Sequence, residues 1–174
     1  MQLARLAARR IKRAAVTRPG RHGWRIAARN LLVLLPVLLL CGWQGDFLRF
    51  GLTTDYSGLL TIALVAIFVP ALGEEVLFRA LLLPRPEEPG QHRLAAILSI
   101  SAFVAWHPLQ AAVFGANAVP VFLDPWFLVA VAALGTALAS TYLATRSLWP
   151  CVVMHWTVVV GWKAFAGGPP NPFS

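Results

Sequence analysis

Five apolar runs, each close to the length of a helix that crosses a bilayer, constrain this chain more than any other feature. They extend from Ile26 to Trp43, Ser57 to Leu83, Leu94 to Phe114, Trp126 to Thr145 and Leu148 to Phe165. About 20 apolar residues in helical form, rising ~1.5 Å each, cover the ~30 Å of bilayer hydrocarbon. Backbone polar groups in lipid must be satisfied within their own segment, so each run is predicted to be a helix. The chain is 58% hydrophobic and 13% charged over 174 residues, against ~45–50% apolar and ~25% charged in soluble domains. A soluble enzyme and a disordered chain are both excluded. The expected fold is all-α, a polytopic transmembrane helical bundle of about five helices preceded by a basic interfacial segment. We expect a basic arm over 1–25, one membrane domain over 26–166, and a flexible tail over 167–174, where "GGPPNPFS" has nothing to pack.

The net charge of +8 is uneven. Arg5, Arg9, Arg10, Lys12, Arg13, Arg18, Arg21, Arg25 and Arg29 crowd the amino end, and no acid precedes Asp46. A basic arm next to an apolar run fits retention on the cytoplasmic side and attraction to anionic lipid headgroups better than it fits nucleic acid, so no nucleic-acid partner is expected. Leu3, Leu6 and Ile11 among the arginines predict a short interfacial helix. With the amino end inside, Arg85, Arg93 and Arg146 also fall in cytoplasmic connections, and only Arg49 falls outside. The expected topology has the amino terminus in the cytoplasm and the carboxyl terminus outside, in the cell membrane of a bacterium. A cleaved signal peptide over residues 1 to 43 is disfavoured, because no small-residue cleavage site surrounds Cys41. Cys41 and Cys151 lie in apolar runs without metal-ligand spacing, and no disulfide is inferred.

Ionisable residues inside the runs are few: Glu74, Glu75 and Arg79 in the second, His107 in the third, His155 and Lys163 in the fifth. Such residues usually face a bundle interior or a wet cavity and mark function, whereas Lys163 is close enough to a helix end to snorkel. Glu75 and Arg79 are spaced i, i+4 and can pair on one helix face, while Glu74 is turned about 100° away and left available. A purely structural ion network is the bland alternative; packed apolar residues often do that task as well or better. His107 precedes Pro108 in "FVAWHP", which predicts a distorted helix there. Depth estimates let Glu74, His107 and His155 meet in the middle to cytoplasmic part of the bundle, a better catalytic candidate than any of them singly.

Taken together, these segments resemble the CPBP intramembrane proteases, a family that includes CAAX prenyl endopeptidases of the Ras-converting type and bacterial Abi or bacteriocin-processing members. Its pattern, E-E-x-x-x-R, then F-x-x-x-H, then a histidine followed four residues later by asparagine, is met here by "EEVLFR" (74–79), "FVAWH" (103–107) and "HWTVV" (155–159). The resemblance covers about half the chain and implies that Glu74 and His107 activate a water. It also implies that Glu75, Arg79 and Phe103 support the site and that His155 helps to stabilise the oxyanion. Val159 stands where the family has asparagine and cannot donate a hydrogen bond. A backbone N–H or the Thr157 hydroxyl substitutes, or activity is low, or the chain is no longer a protease.

The expected function is therefore an intramembrane endopeptidase acting on peptide or protein substrates in or at the membrane, of CAAX type or another membrane-associated kind, with no cofactor. One alternative keeps the residues but makes Glu74, His107 and His155 ligands of zinc, although no H-E-x-x-H is present. Another is a non-catalytic membrane scaffold or immunity-type protein. A transporter is disfavoured by the absence of internal repeats.

Overall fold

A computed structural model describes residues 2–85, 87–114 and 120–167. Among these residues it has six helices: α1 (Gln2–Val16), α2 (Gly20–Gln44), α3 (Tyr56–Leu81), α4 (His92–Phe114), α5 (Pro125–Thr145) and α6 (Trp149–Phe165). Helices α2 to α5 are long and apolar enough to cross a membrane. Helix α6 has 17 residues, at the short limit of about 17–25 for a span. The chain is an all-α polytopic bundle and an integral membrane protein. The proposed tail lies almost wholly outside the described residues, which end at Gly167.

Helix α5 is the centre of the bundle, packed against α2, α4 and α6. Its inward residues alternate large and small, with Leu134, Leu138 and Tyr142 beside Ala130, Gly135 and Ala139. Gly135 has a specific reason to be glycine: a Cβ there would come 3.1 Å from Phe103 Cδ1. The missing side chain lets the Phe103 ring of α4 sit deep in the core. Helix α5 starts where Asp124 accepts a hydrogen bond from the Phe127 N–H at 2.9 Å and Pro125 takes the first turn, the expected N-cap arrangement. Asp55 caps α3 likewise, and its carboxyl lies below the usual carboxylate range because the Gly58 N–H and then the Ser57 hydroxyl hydrogen-bond to it.

The arm expected over 1–25 divides between two helices. Its first part is the helix α1, and α2 begins at Gly20, well before the apolar run, so that six residues of the expected arm belong to the second helix. Gly20 makes the turn between them with φ of +58°, a conformation natural to glycine. Helix α1 is tied to the bundle rather than free. Ala14 is fully buried, the Ala14 carbonyl accepts from the Leu148 N–H at 3.1 Å, and the Ala15 carbonyl accepts from the Trp149 indole at 2.8 Å. Arg10 donates to the Leu81 carbonyl at 2.7 Å and forms an ion pair with Glu88, while Arg13 pairs with Glu87 at 3.0 Å. The carbonyls left open at the ends of α1 and α3 are thereby satisfied. Arg85 also reaches the Arg146 carbonyl, so α1 and the connections after α3 and α5 gather at one end of the bundle. At the other end, Arg49, Gly51 and Thr53 donate backbone N–H groups to the last carbonyls of α6 and beyond.

The sequence predicts a distortion only at His107, before Pro108, and the structure instead places a break in α3 at Pro70. Val69, just before Pro70, is extended (φ −132°, ψ 114°), as the residue before proline tends to be. Wide, π-type turns occupy Ile67–Leu72 and Val76–Leu81. The distortion expected at His107 is absent, since Pro108 lies within the unbroken helix α4. Proline removes one hydrogen bond and crowds one carbonyl, and a long, packed helix can absorb that loss.

Candidate active site

The restart of α3 after Pro70 places Gly73, Glu74 and Glu75 on a short α-helical turn between two wide turns. Wide turns of this kind recur at functional sites. Glu74 (8% exposed), Glu75 (0%), Arg79 (0%), His107 (8%) and His155 (2%) are all buried. Arg79 Nε lies 3.2 Å from Glu75 Oε2, an ion pair without the alignment of a hydrogen bond, and its guanidinium carbon stands 4.6 Å from the centre of the Phe103 ring. The cation is thus held by a carboxylate on one side and an aromatic face on the other.

Glu75 has a second partner that the helical spacing does not reveal. His155 Nδ1 lies 3.0 Å from Glu75 Oε1. Next to a carboxylate, which only accepts when ionised, that nitrogen carries the proton. The ring is oriented so that its Nε2 points toward Glu74, 3.9 Å from Glu74 Oε2. Glu74 is fixed from its other side, where Trp106 donates its indole N–H to Oε1 at 3.0 Å. His107 Nδ1 is 2.9 Å from the Phe103 carbonyl. A carbonyl only accepts, so Nδ1 donates, and a neutral His107 offers its Nε2 lone pair to whatever approaches.

The two histidines have different neighbours. His155 sits between two carboxylates, whereas His107 is boxed by Phe103, Phe122 and Phe127, with ring centroids 5.2, 5.2 and 5.6 Å away. Phe103 also meets the His155 ring edge to face at 5.8 Å. The ring that Gly135 admits therefore touches Arg79 and both imidazoles. Glu74 and His107 make no hydrogen bond or ion pair with one another among the described residues. They meet instead as walls of one cavity of about 450 Å³, together with His155, Val159 and Gln110. Elsewhere its walls are mostly apolar, including Leu31, Leu35, Leu38, Phe47 and Trp162, with Thr157 and Lys163 also on the lining. A smaller cavity of about 220 Å³ lies between α3 and α4 and shares Val69, Pro70, Glu74 and Gln110 with the first. Val159 is on the cavity wall, and no group of three His, Cys, Asp or Glu among the described residues is placed to hold a metal ion.

Trp106 and Gln110 are the site residues that sequence reasoning passed over. A tryptophan in mid-span is itself a signal, since tryptophans of membrane helices collect at the interfaces and a buried indole N–H requires an acceptor. Gln110 could have been found at three residues past His107 and four past Trp106, on the face they share.

The site thus belongs to a membrane-spanning helical bundle in which Glu74, His107 and His155 line one cavity, with Glu75 and Arg79 buried behind them. Residues 56–161 match the family model described as Type II CAAX prenyl endopeptidase Rce1-like. The match covers more than half of the chain and includes α3 to α6 up to Gly161, so the chain belongs to this family of proteases. No curated protein and no solved structure matches it.

Proposed function

We propose that this chain is an intramembrane endopeptidase in which Glu74 activates a water molecule for attack on a peptide carbonyl. The observation that carries this reading is the state of Glu74: a carboxylate on the wall of an apolar cavity, held by Trp106 on one oxygen and facing His155 and His107 without being neutralised by Arg79. In the reaction Glu74 takes a proton from water, and the oxygen bonds to the carbonyl carbon. The C–N bond then breaks as the proton passes to the leaving amine. His107, with Nδ1 committed to a backbone carbonyl, uses Nε2 to hold or share the proton of the same water. For His155, whose Nδ1 proton is held by Glu75, to donate from Nε2 to the developing oxyanion, both ring nitrogens must carry protons, and Glu75 supports that imidazolium form. Arg79 and Phe103 hold that carboxylate and both rings in place.

The apolar cavity suits a membrane-inserted or lipid-modified peptide. The end of the bundle that gathers α1, Arg85 and Arg146 is assigned to the cytoplasm by its positive charge. The exposed Arg5, Arg9, Lys12, Arg18 and Arg21 are then free to meet anionic headgroups.

The test is cleavage of prenylated and unmodified membrane-anchored peptides in proteoliposomes by wild type and Glu74→Gln, with and without chelator. The expected outcome is cleavage by wild type, its loss in Glu74→Gln, and no effect of chelator. Cleavage that survives Glu74→Gln would remove the glutamate base. Cleavage lost on chelation would favour the metal reading, and a wild type that cleaves nothing would favour a non-catalytic scaffold.

A further inference from the structure

We infer that Gln110 is a catalytic residue whose carboxamide N–H donates to the oxyanion of the tetrahedral intermediate from the α4 wall of the cavity that His155 also lines. The inference rests on the hydrolytic reading above. A peptide oxyanion in a water-excluded site needs more than one donor, because each preorganised donor is worth roughly 10²–10³ in rate. His155 turns its Nε2 toward Glu74 and offers an N–H there only in the imidazolium form that Glu75 supports, and the Arg79 guanidinium is screened from the cavity behind Glu75 and Phe103. Val159 lines the cavity from α6 with a side chain that donates nothing, and the Thr157 hydroxyl is already committed to the Val153 carbonyl at 2.8 Å.

Gln110 is the carboxamide on the cavity wall. It lies three residues past His107 and four past Trp106, on the stretch of α4 whose indole holds Glu74. It lines both cavities, and Glu74, Val69 and Pro70 are the other residues that do so. Its side chain makes no hydrogen bond among the described residues and is half-buried. A carboxamide kept at the junction of two apolar cavities without an internal partner is a group waiting for a polar ligand. A substrate carbonyl beside Glu74 supplies one. The water enters from the Glu74 and His107 side, and Gln110 with His155 receives the negative charge.

The experiment compares kcat and KM of wild type, Gln110→Ala, Gln110→Met, Gln110→Asn and the double variant Gln110→Ala/Val159→Asn on a prenylated, membrane-anchored reporter peptide. Unfolding temperatures are measured in parallel. Gln110→Ala and the similarly shaped non-donor Gln110→Met are expected to lower kcat by roughly 10²–10³ with little change in KM or unfolding temperature. Asparagine at 110 keeps part of the activity. Asparagine at 159 restores at least about tenfold to Gln110→Ala, by placing a donor on the facing wall. Activity of Gln110→Ala within about threefold of wild type, or an effect on KM alone, would overturn the assignment. If Glu74→Gln is inactive at the same time, the hydrolytic reading stands without Gln110. If Glu74→Gln is as active as wild type, that reading fails and this one with it.

Discussion

Glu75 and Arg79 meet inside the bundle with no exposed surface, whereas Arg13 and Glu87 meet at its end with more than half of each side chain in solvent. The chemistry of the two pairs is the same, but their surroundings are not. An exposed pair gains little from its charges, roughly 0.2–1 kcal/mol. A buried one gains little net stability either, because removing both ions from water offsets their attraction. The difference shows when one partner is lost: the survivor of the outer pair is solvated, and the survivor of the inner pair is stranded. A bundle that needed only stability would have little reason to keep Glu74, Glu75, Arg79 and His155 inside. Their retention around a cavity, and not their number, is the argument for chemistry.

The sharpest way to use that difference is to remove charge without removing shape. Glu74→Gln keeps an oxygen to accept from Trp106 and leaves the Glu75–Arg79 pair untouched. Peptide cleavage should fall by about 10²–10⁴ while the unfolding temperature holds. Arg79→Leu does the reverse. It leaves Glu75 buried with only His155 as partner, and stability should fall by about 3–5 kcal/mol by chemical denaturation in detergent. A double replacement of Glu75 and Arg79 by leucine should recover part of that stability but not activity, because His155 loses the carboxylate that orients it. If the single Arg79 variant is as stable as wild type, the inner pair behaves like the outer one and the comparison fails.

Much of this arrangement is legible in the sequence, for physical reasons that can be named. The apolar runs mark α2 to α6 because length and hydropathy are properties of a segment, not of its neighbours. The i, i+4 spacing brings Glu75 to Arg79 for the same reason. What crosses between helices is not written locally. His155 reaches Glu75 across 80 positions and Trp106 reaches Glu74 across 32, and neither pairing has a periodicity that announces it. Proline is instructive too. The restriction on the preceding residue applies equally to Val69 and His107, and packing decided that only α3 would break. Contacts of the basic arm are another case of long-range pairing. Among its arginines, Arg10 and Arg13 pair with Glu88 and Glu87, far along the chain, and no local pattern announces it.

Smaller effects refine the contrast. Trp106→Phe keeps the ring and deletes the indole N–H, so Glu74 loses a hydrogen bond to a charged acceptor worth about 1.5–3 kcal/mol. The expected result is a drop in kcat with KM held, since a carboxylate free to rotate spends less time in the attacking geometry. Arg10→Gln removes an ion pair that is less than one-fifth exposed together with the bond to the Leu81 carbonyl. About 1–2 kcal/mol of stability should go with it, and cleavage should be nearly unchanged.

The smallest effect belongs to the outer pair itself. A double-mutant cycle on Arg13→Gln and Glu87→Gln should return a coupling of roughly 0.2–1 kcal/mol in low salt, shrinking toward zero as ionic strength rises and the Debye length falls to about 3 Å near 1 M. Salt reaches both of these side chains and neither of the inner ones. Stability lost in Arg79→Leu should therefore be the same in low and high salt. If salt erased the inner loss as it erases the outer one, water and ions would have access to Arg79. The buried cluster would then be a solvated one, and the case for Glu74 as a base in a site closed to bulk solvent would weaken with it.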